Sequence, residues 1–327
     1  MRVLLVASVL FATADAFAPS SFQRCNPSLA MSTAVDSIDA VEVQSRLKAQ
    51  MEKMKARDAT SSTLSKEDIK VVYEDEHIIV VDKPAGVLCV PGKDNNASLS
   101  EAVFQAFGNE SNRADKMVVH RLGMDTSGLI AFARTDAALR QMNTLFRTRK
   151  VSRKYEALVC GTIEEDEGVI NLPLMRDYQF PPFMRVSTDE HQKALCSLSA
   201  EDVGKKLLEN PKESLTKYEV VGKEELDGNA VTRVGLTSIS GRTHQLNVHC
   251  AAFGHPIVGD QVYGINGEAA PIGGLDECTS AAGASNDLQE QIAASVTGKP
   301  MCVHAKTLGF EHPVTGEKLS FESASPF

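Results

Sequence analysis

A polar loop that contains glycine lies between two apolar segments, and its side chains are the first candidates for chemistry in this chain. The loop reads His120-Arg121-Leu122-Gly123-Met124-Asp125-Thr126-Ser127-Gly128. Glycine allows the backbone to approach a ligand closely, and loops between regular elements often carry binding and catalytic groups. Taken without comparison, such a loop is more often structural than functional.

Further polar segments follow along the chain. One is the strand-like run Lys154-Tyr155-Glu156-Ala157, with Gly161 beyond it. Another is Gly241-Arg242-Thr243-His244-Gln245-Leu246, which continues through Val248-His249 to Gly254-His255-Pro256-Ile257-Val258-Gly259-Asp260. Shorter segments are Asp82-Lys83-Pro84-Ala85-Gly86, Tyr263-Gly264 and His312-Pro313-Val314-Thr315-Gly316.

In this order, the segments resemble the motifs of the RluA-type pseudouridine synthases. The first loop matches the family's His-Arg-Leu-Asp-x-Asp-Thr-Ser-Gly signature at every fixed position but one. The second segment is similar to the family's lysine-tyrosine-x-alanine strand, and the third is similar to its long arginine-containing motif. The resemblance covers the chain from about Val71 to Pro326, and it implies the pseudouridine synthase fold and an RNA substrate.

The resemblance also implies a reaction and the residues that carry it. In the family, a carboxylate reaches the ribose of a uridine turned out of its RNA stack, the bond from sugar to base nitrogen breaks, and the base rejoins through carbon. By resemblance, Tyr155 stacks on the uracil and takes its proton, Arg242 pairs with the carboxylate, and Arg121 enters the space that the base vacates. His120 is expected to contact the RNA. No metal or cofactor is implied.

The chain departs from the family at the essential position, because Gly123 stands where the family keeps its catalytic aspartate. Asp125 is the nearest carboxylate, but two residues along an extended chain span about 6 to 7 Å. Bond-forming atoms must come within about 3.5 Å, so Asp125 is a doubtful substitute. A second departure is Asn247, where the family usually has arginine.

Two main functions stay open on these residues. One is an active pseudouridine synthase that modifies structured plastid rRNA or tRNA, with the carboxylate supplied by Asp125 or by a repositioned loop. The other is a catalytically silent relative that still binds RNA, as a chaperone or ribosome assembly factor, and Gly123 favours it. A different hydrolase or a purely structural protein also stays open, because a fold alone does not determine function.

The charge of the chain allows RNA binding only through a local surface. The 327 residues carry a net charge of −9, and an acidic protein binds nucleic acid poorly by charge alone. From Arg134 to Lys154, however, the cations outnumber a lone Asp136. The residues predicted to contact RNA here are Arg147, Arg149, Lys150, Arg153 and Lys154. The alternative is an ordinary solvated helix face.

The hydrophobic pattern predicts an α+β fold with a mixed, largely antiparallel sheet and flanking helices. Short strands with turn signals begin at Lys70, and helices are expected at 99–107, 136–147 and 243–253. A strand is also expected over Val118 to Leu122. The Gly-, Ala- and Ser-rich stretch at about 265–299 is expected to be a surface insertion, with a short helix near its end.

The first residues predict a targeting sequence. Arg2 precedes an apolar run that ends in Ala14-Asp15-Ala16, which is typical of a signal peptide over 1–16. Residues 17–35 resemble the transit segment used by algae with secondary plastids, so we expect a chloroplast stroma location, with the secretory pathway as the alternative. Residues 36–69 are expected to form a helix or a flexible spacer, and 70–327 the synthase-like domain.

The remaining composition indicates neither a metal site nor a disulfide framework. The seven cysteines are scattered without a Cys-x-x-Cys pair, and the histidines fit no zinc spacing. We therefore expect mostly reduced core thiols, no cofactor, no membrane segment in the mature form and no obligate protein partner.

Overall fold

A computed structural model describes residues 38–108 and 113–327. The predicted signal peptide over 1–16 and the transit-like segment over 17–35 lie outside the described residues. The stretch for which a helix or a spacer was expected contains helix α1, Ala40–Asp58. Its first turn is capped by Asp39, whose carboxylate accepts a hydrogen bond from the Val41 amide at 2.9 Å.

The elements follow in the order that the hydrophobic pattern predicts, with additions in the middle of the chain. The strands are β1 (Lys70–Glu74), β2 (Ile78–Lys83), β3 (Ser127–Ala133), β4 (Ser152–Cys160), β5 (Glu167–Asn171), β6 (Leu174–Arg176), β7 (Met184–Val186), β8 (Leu215–Leu226), β9 (Asn229–Ser238), β10 (Val303–Glu311) and β11 (Lys318–Glu322). The helices after α1 are α2 (Leu99–Phe107), α3 (Ala114–Met117), α4 (Asp136–Arg147), α5 (Asp189–Leu195), α6 (Ala200–Val203), α7 (Gln245–Phe253) and α8 (Asn286–Ser295).

Most strands form one sheet in the order β1-β2-β3-β10-β4-β9-β8-β5, with β11 paired to β10. Only the β3–β10 pairing is parallel among the described strands, so the sheet is mixed and largely antiparallel. Strands β6 and β7 form a separate hairpin. The α+β prediction is confirmed.

Alternate residues of each central strand enter opposite cores, as the two-residue repeat of a strand requires. In β2, Ile79 and Val81 join the cluster that contains Leu99 and Val103 of α2. Ile78 and Val80 join the cluster on the other face, beneath α4. Farther along the sheet, α7 packs on the same face as α2, and α8 packs on the same face as α4. The sheet is therefore covered on both faces by helices.

Helix α1 is attached to the segment that follows β7. Val43 is almost fully buried in a small cluster with residues from β6 to the region after α6: Met175, Leu195, Leu198, Val203 and Leu207. Farther along α1, the Arg46 guanidinium donates to the Gln179 carbonyl at 3.1 Å, and the Gln50 amide donates to the Glu268 carboxylate at 2.6 Å. These contacts position the C-terminal end of α1, where Arg57 lies.

One predicted strand was wrong, and some helices were not predicted. Val118 to Leu122 is not a strand, because Val118 forms only an isolated bridge to Phe132. The helices α5 and α6 were missed, although Thr188 and Ser199 cap them and acidic residues fill their first turns. The stretch at 265–299 contains α8 and a short 3₁₀ turn at Pro271–Gly274, and it buries Ile292 and Val296.

Five described cysteines are free thiols: Cys89, Cys160, Cys250, Cys278 and Cys302. Burial raises the pKa of the Cys160 and Cys250 thiols to about 12, so these groups stay protonated and unreactive in the core. Among residues 38–108 and 113–327, none of the helices combines the length and the apolar composition that a membrane span requires.

Candidate active site

The first motif (120–128), the second motif (154–157) and the third motif (241–260) meet on the face of the sheet that carries α2 and α7. Tyr155 stands on β4 and is partly buried. It packs against the core cluster that contains Leu122, the residue before Gly123, and against the cluster that contains Leu246 of the third motif. The phenol ring therefore lies between the loop of the first motif and the start of α7, as a base-stacking role would require.

Gly123 lies at an exposed turn of the first loop. The Thr126 amide donates to the Gly123 carbonyl at 3.2 Å, which closes the turn. The φ of Gly123 is not in the left-handed region, and a Cβ added here would meet only the Thr126 hydroxyl, at 3.2 Å. The backbone at this position therefore has room for a side chain, although none is present.

Lys83 holds this loop to the turn after β2. Its side chain is fully buried, and its ammonium donates to the carbonyls of Pro84, Val87 and Met124 at 2.8, 2.7 and 2.9 Å. Burial lowers the pKa of Lys83 to about 8. Three carbonyl acceptors fill the three donors of an ammonium, so the role of Lys83 is to position the loop.

Asp125 and Arg242 do not contact each other. The Asp125 carboxylate forms an ion pair with Arg57 at the end of α1, and both side chains are about one-third exposed. The Arg242 guanidinium instead donates from Nε to the Glu213 carbonyl at 3.2 Å. The acid that remains in the first motif is therefore held by a cation from outside the family motifs.

The loop that carries Arg242 is locked by a buried glutamine. The Gln245 side-chain oxygen accepts from the Arg242 amide at 2.9 Å and from the Ser240 hydroxyl at 2.8 Å. Gly241 and His244 both adopt positive φ, at 64° and 51°. The His244 imidazole contacts the Tyr263 hydroxyl at 2.9 Å, which fixes the last residue before α7. Arg242 thus emerges from a rigid turn.

The His120 side chain makes packing and hydrogen-bond contacts within the fold. Its ring stacks on Phe146 with the centroids 4.6 Å apart, and Nε2 accepts from the Ala131 amide at 2.9 Å. Burial of the ring nitrogens, with a smaller contribution from the Arg153 charge, lowers the pKa of His120 to about 3. The imidazole is neutral at physiological pH, so it cannot attract phosphate as a cation.

The predicted RNA-binding cations fall into two groups. Arg153 stacks over Phe146, and a Cβ on Gly241 would come within 3.1 Å of its guanidinium, so Arg153 lies beside the third motif. Arg121 is exposed at the start of the Gly123 turn. The other group lies at the end of α4 and after it, and its members are all exposed: Arg147, Arg149, Lys150 and Lys154, of which Lys154 pairs with Glu219.

Asn247 makes a structural contact at the position where the family usually has arginine. Its amide donates to the Asp260 carboxylate at 2.8 Å. The other oxygen of Asp260 accepts from the Val262 and Tyr263 amides at 2.9 Å each. The substitution removes a charge and ties α7 to the loop beyond it.

Sequence reasoning did not identify Arg57, Lys83 or Gln245 as site residues. Lys83 and Gln245 lie inside quoted motifs, and a lysine in an apolar strand was a usable signal. Arg57 had no signal, because its partner Asp125 is distant along the chain. Within the described ranges, no three His, Cys, Asp or Glu side chains lie close enough together to hold a metal ion.

A helix-covered, largely antiparallel sheet that presents a tyrosine between these two loops defines the class of RNA-modifying pseudouridine synthases. A family model described as RNA pseudouridylate synthase matches residues 77–252. The dual-specificity RNA pseudouridine synthase RluA of Pasteurella multocida is 34% identical over 79% of this chain and 94% of that protein. The protein of the same name from Haemophilus influenzae is 32% identical over the same shares.

Two solved structures share the fold. Human RNA pseudouridylate synthase domain containing 1 is 26% identical, with a TM-score of 0.57 over 81% of this chain and 87% of that structure. Human RNA pseudouridylate synthase domain containing 4 is 23% identical, with a TM-score of 0.52, and shows the fold alone. The chain belongs to the RNA pseudouridylate synthase family.

Proposed function

We propose that this protein is a catalytically silent pseudouridine synthase relative that binds structured RNA. The observation that carries the proposal is the first motif, where Gly123 has no side chain and the remaining acid, Asp125, is paired with Arg57. The family reaction needs a free carboxylate at the sugar of the target uridine. No such group is offered by this loop.

Asp125 is a poor replacement for two physical reasons. Asp125 lies within the turn that the Thr126 amide and the Gly123 carbonyl close, and its carboxylate is already paired with Arg57. The cation that the family uses to orient the acid, Arg242 by resemblance, is directed to the Glu213 carbonyl. Asp125 would have to leave Arg57 and move before it could act.

Apart from the cation lost at Asn247, the groups that recognise RNA in the family are retained by resemblance. Tyr155 lies between the first and third motifs, and Arg121, Arg153 and Arg242 surround this part of the surface. An aromatic ring that stacks on a base and cations that contact phosphates suffice for binding without chemistry. A role as an RNA chaperone or ribosome assembly factor, acting on rRNA or tRNA, agrees with these features.

The second candidate is an active pseudouridine synthase. Its support is the identity of 34% to a dual-specificity RNA pseudouridine synthase, together with the retained Tyr155 and Arg242. In this alternative Asp125 would attack or deprotonate the ribose, Tyr155 would take the proton from the uracil carbon, and Arg242 would keep the carboxylate ionised.

The two candidates are separated by one pair of measurements on the chain without residues 1–35. RNA affinity is measured at low and moderate salt, and pseudouridine is counted in total plastid rRNA and tRNA after incubation. We expect salt-sensitive binding, because phosphate contacts release counterions, and no conversion. Conversion by the unaltered chain would contradict the silent assignment, loss of that conversion in Asp125→Asn would assign the acid to Asp125, and absence of RNA binding at low salt would contradict both candidates.

We also propose that the protein acts in the chloroplast stroma of an alga with a secondary plastid. The support is the order of the signal-like segment over 1–16 and the acid-poor segment over 17–35. A fluorescent protein fused after residue 40 should accumulate in the plastid. Secretion of this fusion would favour the alternative location.

A further inference from the structure

A small cavity beside Arg242 is lined by cations from separate segments of the chain. Its volume is about 220 Å³, and its lining includes Arg176 of β6, Lys212 before β8 and Arg242 before α7. We infer that this cavity binds a phosphate group. The inference deepens the proposed function, because the RNA backbone is the first source of such a group, and a free phosphate is the second.

Two of the three cations, Arg176 and Arg242, form no ion pair in the part of the chain that the structure describes, although the Arg176 charge helps to lower the pKa of Glu209 in the same lining. Arg176 donates to the Pro182 carbonyl, and Arg242 donates to the Glu213 carbonyl at 3.2 Å. A guanidinium has five N–H donors, so each side chain keeps donors for a ligand. Carbonyl groups orient these side chains without neutralising them.

The third cation, Lys212, is paired with Glu209, the acidic residue of the lining. Lys212 forms an ion pair with Glu209, and both side chains are about half exposed. An exposed pair of this kind contributes at most about 1 kcal/mol, so a phosphate that offers stronger hydrogen bonds can displace Glu209. With three cations and one acid, the lining keeps an excess of two positive charges for a doubly or singly charged phosphate.

The backbone holds the cations in place before any ligand arrives. Lys212 and Leu174 exchange two backbone hydrogen bonds, at 2.8 and 2.9 Å, so Lys212 is fastened directly to the strand that carries Arg176. On the opposite wall, Gln245 holds the Arg242 amide at 2.9 Å. Because the backbone of these segments is already ordered, binding has to fix only the side-chain ends, which reduces its entropy cost.

The size of the cavity selects the ligand. Sites for drug-sized molecules are usually about 300 to 1,000 Å³. A cavity of about 220 Å³ is below that range and suits a phosphate group with its water, not a base with its sugar. A nucleotide next to the base that stacks on Tyr155 could place its phosphate here, while its own base stays outside.

The test uses Arg176→Gln and Lys212→Gln in the otherwise complete chain, with Lys223→Gln as the matched control. Lys223 is an exposed lysine of β8 that pairs with Glu164 at 3.6 Å, outside the cavity lining. Circular dichroism and the unfolding midpoint of each variant establish that it is folded. RNA affinity is measured in phosphate-free buffer from 50 to about 300 mM salt, and inorganic phosphate binding is measured by calorimetry.

If the phosphate comes from RNA, each cavity variant should bind RNA more weakly, and its slope of log affinity against log salt should be smaller by about 0.7 to 0.9. The control should keep the slope of the unaltered protein, and Arg176→Lys should recover most of it. If the source is free phosphate, the cavity variants should lose the calorimetric signal with RNA affinity unchanged.

The inference is overturned if folded Arg176→Gln and Lys212→Gln both keep the RNA slope and the phosphate affinity of the unaltered protein. This outcome differs from failure of the proposed function, in which the unaltered protein itself does not bind RNA. In that case the phosphate measurement still tests the cavity, and a phosphate signal that the two variants lose would support it.

Discussion

If the protein is silent as proposed, the replacement Gly123→Asp should convert it into a working pseudouridine synthase. A Cβ at position 123 meets only the Thr126 hydroxyl, at 3.2 Å, and φ lies outside the left-handed region. The hydroxyl can rotate away by the few tenths of an ångström that this contact requires. The Arg242 guanidinium donates from Nε to the Glu213 carbonyl and keeps further N–H groups, which by the family resemblance are the expected partners of a new carboxylate.

The size of the effect can be estimated for stability and for activity. Replacing glycine at a compatible backbone position stabilises a fold by about 0.4 to 1 kcal/mol through the unfolded state, and the tight contact with Thr126 offsets part of this. The free energy of unfolding should therefore change by less than about 1 kcal/mol. Conversion should rise by at least about 10²-fold, the lower bound for a positioned catalytic acid or base.

The assay compares the unaltered chain, Gly123→Asp and Gly123→Asn on the same plastid rRNA and tRNA, with pseudouridine counted by mass spectrometry of nucleosides. The asparagine variant matches aspartate in size and geometry but cannot ionise, so it should stay inactive. Tyr155→Phe added to Gly123→Asp should keep RNA binding and lose conversion.

Two results would refute the reasoning. A folded Gly123→Asp protein that binds RNA yet forms no pseudouridine would show that the pocket lacks more than its acid. Equal conversion by Gly123→Asp and Gly123→Asn would show that the carboxylate charge is not the missing element.

Three further predictions follow from the same contacts. Arg57→Ala should lower the free energy of unfolding by at most about 1 kcal/mol in urea titrations, because exposed ion pairs are weak. Lys55→Ala, which removes another exposed ion pair of the same helix, should have a similar effect. A gain of conversion by Arg57→Ala would show that Asp125, once released, can act as the acid. The pKa of His120 is about 3 in the folded protein and 6.5 ordinarily, so as the pH falls the unfolded chain takes up this proton first. The free energy of unfolding therefore falls by about 2 kcal/mol between pH 7 and pH 5 because of this group. His120→Gln should therefore shrink the measured drop in unfolding free energy over this interval by about 2 kcal/mol, and an unchanged drop would contradict the buried neutral imidazole. Arg147→Ala and Lys150→Ala should each reduce the salt slope of RNA binding if α4 contacts RNA, and slopes equal to that of Lys223→Ala would restrict the RNA surface to the face of Tyr155.

Much of the fold was predictable because its elements are marked locally. Helix α4 begins and ends at the predicted residues, since Thr135 caps it and Ala138, Met142 and Leu145 form one buried stripe. The apolar run of β2 and the Lys83-Pro84-Ala85-Gly86 turn after it were equally plain. The strand predicted at Val118 to Leu122 failed, because a short apolar run does not show whether a partner strand lies beside it.

The candidate site was likewise predictable from the sequence only in part. The sequence alone determined the order of the three motifs, the absence of an acid at Gly123 and the presence of Tyr155 and Arg242, because these are statements about residue types and spacing. Only the tertiary structure decided that Asp125 pairs with Arg57, that Arg242 donates to the Glu213 carbonyl and that Arg176 and Lys212 share a cavity with Arg242. The partner of a charged side chain depends on which distant segments packing brings together, and no local pattern encodes that choice.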